Sequence, residues 1–422
     1  MIRRSDFVVG VSGINAADNP GPGTGVARSI LEDKGLGARV VGLAYDALEP
    51  GIYMDWLFER SFTLPYPSGG GEEFVDRLLE IQATHGLDFI VPNLDVELPL
   101  YIKYADELAS HGIGTFLPTM RQFRLRGKDK LPEVAETLGI DVPTTRVVTS
   151  DEALVEACQE IGFPLIVKGA YYLAYTAHTL AEARGHFHAI AAQWGYPVIV
   201  QQIVKGEELN LVGVGDGRGG SLGRVAMKKV SITSLGKVWS AVTLKNPLLE
   251  AADQRFTAGT KWRGPYELEC IFDPESGRLY LIEINPRFPA WSYFATGVGV
   301  NLPGRMLRHA QGLPLDEAAA YDAGRFFMRY TYEMVTDMNR FQDVVMRGAT
   351  SPCHWWRPPV PSLSHWWASH RGTLSIRTAS NSGSPMKRTY EKPFLMKLQS
   401  RMMNKYGFAP GTGVAYAKRS TA

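Results

Sequence analysis

Between Tyr266 and Arg287 the chain reads YELECIFDPESGRLYLIEINPR, two strand-like runs around the turn former Asp-Pro-Glu-Ser-Gly. Such a segment folds back on itself, so 266–272 and 279–285 are expected to pair antiparallel. A register centred on Ser276 sets Glu269 opposite Glu283 and Glu267 opposite Asn285. Side chains two apart share a strand face, so all four crowd one surface. Opposed carboxylates destabilise a bare sheet, whereas a divalent cation reverses the sign of that interaction. Magnesium takes oxygen ligands and completes its shell with water and phosphates. Two readings stay open at this point, a metal-binding face and an acidic face turned to solvent.

The first part of the chain has a different rhythm. Apolar runs at 6–12, 39–44 and 87–95 alternate with helix-spaced segments such as FVDRLLEIQATHG, and LPLYIKYADELASHG reads as one further helix. Strand–helix alternation with short loops predicts a parallel α/β sheet over about residues 1–120. The loop GINAADNPGPGTG follows the first strand without the GxGxxG spacing of a dinucleotide fingerprint. Asn93, Asp95 and Glu97, at the carboxyl end of a strand, fall where such sheets line a substrate cleft or form ordinary strand-end loops. From about 121 to 316, runs such as ELNLVGVGD, GRVAMKKVSI and VWSAVTL alternate as antiparallel strands do, with helices between them. That pattern is α+β. Residues 317–350 are expected to pack back on this body.

The chain has 422 residues, enough for two or three cores. No apolar run reaches the roughly 18 residues of a membrane-spanning helix. Three scattered cysteines, Cys158, Cys270 and Cys353, form neither a disulfide framework nor a CxxC site, so a cytoplasmic setting is expected. His186 and His188 stand two apart in a helical segment and do not share a face. Charge is uneven. Residues 351–422 carry eleven Lys/Arg and one acid, while the first 350 residues are net −8. This basic, Trp/Pro-rich tail lacks periodicity and is expected to be loosely ordered. It reads either as a dock for an acidic partner or as an extension without a role.

The order of several short motifs carries more than any one of them. Lys130 precedes Gly139-Ile140-Asp141-Val142-Pro143, and Gly162 to Lys168 reads GFPLIVK. Gln201, Gln202, Ile203 and Val204 follow, then Gly206-Glu207-Glu208, Glu269, and Glu283-Ile284-Asn285-Pro286-Arg287. Over roughly residues 7–316 this series resembles the ATP-grasp superfamily, in its carbamoyl-phosphate-synthase-like branch with a single ATP-grasp unit.

The resemblance implies a Rossmann-like domain before an ATP-grasp fold. It implies that Lys130 and Lys168 meet the nucleotide phosphates, that residues 201–204 contact adenine and that Glu208 holds the ribose hydroxyls. Glu269, Glu283 and Asn285 would bind magnesium, two ions in all, and Arg287 with Lys168 would act on the transferring phosphate. The implied activity is ATP-dependent activation of a carboxylate as an acyl phosphate, then amide formation with an amine on an amino-acid or peptide substrate. Alternatives from the same residues are a modifier of a ribosomally made peptide and a non-catalytic ATP-binding regulator. Neither a membrane nor nucleic acid is expected as partner, and a homodimer is the prior expectation. One departure stands out: the segment after Lys168, GAYYLAYT, has one glycine and three tyrosines where the family has a glycine-rich loop.

Overall fold

The computed structural model describes residues 7–16, 18–169, 173–317 and 320–351. Residues 170–172 and 352–422, about which the sequence raised expectations, lie outside these residues. Strands β1 (Phe7–Val11), β2 (Ala38–Ala44), β3 (Arg60–Thr63), β4 (Leu87–Val91) and β5 (Gly114–Thr115) form a parallel sheet in the order β3-β2-β1-β4-β5. This is the Rossmann-like arrangement, with the strand order reversing beside β1. Helices α1 (Pro22–Glu32) and α2 (Glu72–His85) connect its strands. The expected single helix at 98–110 is instead two, α3 (Leu98–Lys103) and α4 (Ala105–Ser110), because Tyr104 leaves helical geometry between them.

Helices α5 (Met120–Arg124) and α6 (Leu131–Leu138) lead into a smaller antiparallel sheet. Its strands are β6 (Thr145–Val148), β7 (Leu165–Gly169), β8 (Ala174–Ala177) and β9 (Val198–Gln202), in the order β6-β9-β7-β8. Helices α7 (Asp151–Ile161) and α8 (Leu180–Trp194) cover one face, where Leu154, Phe187 and Ile190 meet Val167 and Val200 in a closed core. From Ala174 the segment after Lys168 is strand rather than loop. Aromatic and β-branched residues at Tyr175 and Thr176 favour a strand, and β8 pairs back onto β7.

The third sheet has six strands in the order β14-β13-β10-β11-β12-β15. They are β10 (Glu207–Asp216), β11 (Ser221–Ile232), β12 (Val238–Thr243), β13 (Arg263–Asp273), β14 (Arg278–Asn285) and β15 (Phe326–Met328). Helix α9 (Pro247–Thr260), started by the Asn246 side chain capping two amides, lies between β12 and β13. Its Leu249 and Phe256 pack with Leu209, Leu211, Leu268 and Ile284 on one face of the sheet. On the other face Val212, Val214 and Val225 share a core with Val9 of β1, Ile30 of α1, Phe288 and Trp291. Helices α10 (Tyr293–Gly297), α11 (Leu302–Ala310) and α12 (Met338–Arg347) complete the body. Residues 320–351 pack back on it: Tyr321 bonds to both Ala226 and Leu244, and Thr350 donates its amide to Ser61.

Candidate active site

The β13–β14 hairpin supplies the core of the site. Glu267 pairs with Asn285 and Glu269 with Glu283, as the register centred on Ser276 requires. Nearer the turn the pairing differs, with Cys270 opposite Leu281 and Asp273 opposite Arg278. Ile282 is the extra residue of a β-bulge between the two registers. Leu268, Cys270, Leu281 and Ile284 enter the core on one side. Glu267, Glu269, Ile271, Tyr280, Glu283 and Asn285 line the other.

Glu267, only 4% exposed, is the centre of this face. Its Oε1 accepts from Asn210 Nδ2 at 2.8 Å and from the Trp291 indole at 2.6 Å, and its Oε2 from Asn285 Nδ2 at 3.0 Å. Burial, with Glu269 alongside, pushes its carboxyl up to about 7 against the pull of those donors. Asn285 Nδ2 also donates to Glu269 Oε1 at 3.0 Å. Lys229 reaches the other oxygen of Glu269 at 2.9 Å and Glu208 at 2.8 Å. Burial raises the Glu269 carboxyl, but Lys229 outweighs it and holds the group below its ordinary range. For Lys229 itself burial works against the charge, yet the two glutamates raise the ammonium above the usual lysine value.

Glu283 faces the smaller sheet. Lys128 Nζ stands 3.7 Å from it, and burial raises the Glu283 carboxyl despite that lysine. Lys168, at the end of β7, is 7% exposed and donates to Gln201 Oε1 at 2.8 Å. Gln201 in turn donates to Thr145 Oγ1 at 2.8 Å, so a chain of polar groups fixes the lysine. Burial, then the nearby Lys128, lowers the Lys168 ammonium to about 8, while Glu283 draws it back up. Two sheets thus bring a buried lysine and a partly buried carboxylate into electrostatic contact.

Beside this face lies a cavity of about 290 Å³ lined by Gln202, Ile203, Val204, Lys205 and Gly206 with Asp273, Pro274, Glu275 and Tyr280. Residues 202–204, expected at adenine, therefore border a hollow that has Tyr280, from this side of the hairpin, in its wall. Gln201 is the exception, since its side chain is spent on Lys168 and Thr145.

Arg287 donates through Nε to Asp95 Oδ2 at 2.8 Å, and Arg126 lies 3.6 Å from the other Asp95 oxygen. Burial opposes the charge on Arg287, but Asp95 raises its guanidinium above the ordinary value. Of the three polar residues read at the end of β4, only Asp95 reaches this site. Asn93 and Glu97 are fully buried. Glu97 accepts from Ser12, from Tyr45 and from the amides of Asn93 and Leu94, at 2.8 and 2.9 Å for the amides. Both residues tie strand ends together rather than line a cleft.

Lys130 is not among the groups brought together. Its ammonium sits half-exposed, 3.6 Å from Glu133 one helical turn on, and Lys128 takes the place beside Glu283. Residues two apart diverge where the chain turns into α6. Spacing also gave no sign of Lys229 or of Arg329. The latter donates to the carbonyls of Ala290 and, at 3.3 Å, Pro20, with no acidic partner among the described residues. Burial lowers its guanidinium to about 10.

The donor set of the acidic face is chemically suited to a hard cation: two carboxylates and an amide oxygen. Asn285 Oδ1 accepts no hydrogen bond among the described residues. Among the described residues no group of three acidic, histidine or cysteine side chains is preassembled for a metal, and Glu269 and Glu283 instead lie 2.9 and 3.7 Å from Lys229 and Lys128.

No protein-family model matches the chain. Among solved structures it is similar to biotin carboxylase from Campylobacter jejuni in complex with β-γ-ATP, with 15% identity and a TM-score of 0.59 over 74% of this chain and 72% of that one. The biotin carboxylase domain dimer of Hydrogenobacter thermophilus 2-oxoglutarate carboxylase, in complex with MgADP, ADP and bicarbonate, is 16% identical over 74% of this chain and 71% of its own, with a TM-score of 0.57. N5-carboxyaminoimidazole synthetase from Staphylococcus aureus is 13% identical over 75% and 80%, with a TM-score of 0.58. The likeness is one of fold: the ATP-grasp architecture implied by the motif series is the architecture found. Among the described residues no helix is long and apolar enough to cross a membrane.

Proposed function

We propose that this chain is an ATP- and magnesium-dependent ligase that activates a carboxylate as an acyl phosphate and passes the acyl group to an amine. The observation that carries the reading is the meeting of Lys168, from the smaller sheet, with Glu283 and Lys128 beside a cavity bordered by residues 202–206. A cationic and an oxygen-donor surface face each other there, as a metal-bound triphosphate needs. The nucleotide complexes of proteins with this fold support it.

In this reading adenine enters the cavity along Gln202 to Val204, and Glu208 meets the ribose hydroxyls. Lys168 and Lys128 hold the phosphates, Lys130 joining them by a side-chain rotation away from Glu133. Glu269, Glu283 and Asn285 supply protein oxygens to magnesium, two ions being proposed. Magnesium there would neutralise phosphate oxygens and polarise the terminal phosphorus. Arg287, held by Asp95, stabilises charge on the transferring group. The substrate carboxylate oxygen bonds to the terminal phosphorus as the bond to ADP breaks. The amine nitrogen then bonds to the acyl carbon, phosphate leaves, and the nitrogen gives up a proton. Positioning and electrostatics do most of this work.

The test is ADP release from the protein with Mg-ATP, an amino-acid pool and hydroxylamine, which intercepts acyl phosphates. A hydroxamate that depends on one carboxylic acid is the expected result. Nucleotide binding without ADP or hydroxamate, under that pool and under candidate peptides, would overturn the ligase reading in favour of a non-catalytic one.

A further inference from the structure

We infer that Glu267 is a positioning residue that fixes which end of the Asn285 amide is presented to the cation, an inference that rests on the magnesium reading above. An asparagine amide has one oxygen acceptor and one nitrogen donor, and only the oxygen ligates a hard cation. Here the nitrogen is claimed twice, by Glu267 Oε2 and by Glu269 Oε1, each at 3.0 Å. Both acceptors are carboxylates, so the reversed amide would set its oxygen against two others. Among the described residues no donor reaches the oxygen Oδ1.

Glu267 is itself locked in place. Asn210 and Trp291 donate to its other oxygen, one from the neighbouring strand β10 and one from the segment after the hairpin. Its carboxylate accepts three N–H groups and gives none. Outer-shell partners of this kind orient metal ligands and commonly change affinity by about 10- to 100-fold. Among the described residues no lysine comes into ion-pair contact with Glu267 as Lys229 does with Glu269 and Lys128 with Glu283, which fits an acceptor for amide and indole donors.

A glutamine in its place makes the inference specific. In Glu267→Gln the new carbonyl can keep the Asn210 and Trp291 donors, which leaves its NH2 facing Asn285 Nδ2. Two donors then oppose each other, and the contact is relieved by rotating the Asn285 amide, which turns N–H toward the cation.

The experiment measures Mn²⁺ binding to the full chain in the presence of ADP, by loss of the free-ion electron paramagnetic resonance signal, together with ADP binding in the absence of metal. Glu267→Gln is expected to weaken Mn²⁺ about tenfold and to leave metal-free ADP binding unchanged. The decisive comparison uses Asn285→Asp, whose side chain has no nitrogen end to misplace. In that background Glu267→Gln should cost clearly less Mn²⁺ affinity than in the wild type, keeping only the part due to the carboxylate charge it removes in both backgrounds. Equal Mn²⁺ affinity in the wild type and in Glu267→Gln overturns the inference, and so does an equal loss in both backgrounds, the mark of a merely structural role. Wild-type protein that binds ADP but never Mn²⁺ would instead bring down the magnesium reading itself, and this inference with it. If Glu267→Gln does not fold, Glu267→Met, which removes both oxygens at similar volume, repeats the comparison.

Discussion

Glu269 and Glu283 stand directly opposite each other across the β13–β14 hairpin, and one bulged residue, Ile282, puts them there. Carried on from the turn without the bulge, the pairing would set Glu283 against Leu268. It would then share the face that packs in the core. An irregularity of one residue decides whether these carboxylates can act together.

Glu283→Gln should therefore abolish turnover while the fold survives. ADP release is expected to fall by about 100-fold or more. Tm should hold or rise slightly, since a carboxylate directly opposite another is replaced by a neutral group. Normal turnover in the variant would remove Glu283 from the metal site.

Lys168 gives the site a pH dependence. Its ammonium, lowered to about 8, is charged at neutral pH and loses its proton above that value. A phosphate ligand needs the charged form, so metal-free ADP affinity should fall by about tenfold per pH unit above 8. Calorimetry at pH 7, 8 and 9 would follow this, and Lys168→Arg, which keeps its charge, should flatten the profile. An unchanged slope in Lys168→Arg would assign the titration elsewhere.

Glu49 governs stability in a different range. It is buried, one oxygen accepts the Tyr45 amide at 2.8 Å, and the other has no partner. Burial pushes its carboxyl up to about 7. Its folded value thus exceeds its unfolded one, so the folded state binds the extra proton. The contribution is complete below the unfolded value and is lost as pH rises through about 7, roughly 3 kcal/mol in all. Thermal unfolding of Glu49→Gln should show a smaller drop in Tm between pH 5 and pH 8 than the wild type shows.

Gly23, in the first turn of α1, lies against the end of β1. A Cβ there would sit 2.1 Å from the Ser12 carbonyl oxygen and 2.9 Å from the Gly13 backbone, and neither can give way. Gly23→Ala should cost about 2 kcal/mol or more. Gly69, with no atom within 4 Å of such a Cβ, is the control, and Gly69→Ala should leave denaturant midpoints unchanged. Equal midpoints for both variants would show that the chain relieves the contact.

What the sequence by itself determined is what rests on local physics. Period-two alternation and the Asp-Pro-Glu-Ser-Gly turn define the hairpin, and strand–helix alternation defines the parallel sheet, because both depend on neighbours a few residues away. The motif order from Lys168 to Arg287 likewise pointed to the fold, since it records the sequence in which strands deliver side chains to one cleft. Even so, the opposition of Glu269 and Glu283 followed from a turn centre that the bulge at Ile282 had to supply.

Tertiary structure alone decided the partners. Lys128 rather than Lys130 reaches Glu283, Lys229 spans Glu208 and Glu269, and Asp95 holds Arg287 while Asn93 and Glu97 are consumed inside the first sheet. Glu267 is the clearest case. On its strand it is one more alternating glutamate, and its part comes from Asn210, Asn285 and Trp291, distant in sequence by up to 57 residues. Hydrogen bonds and charges act over a few ångströms in space whatever their separation along the chain, and no spacing rule carries that information.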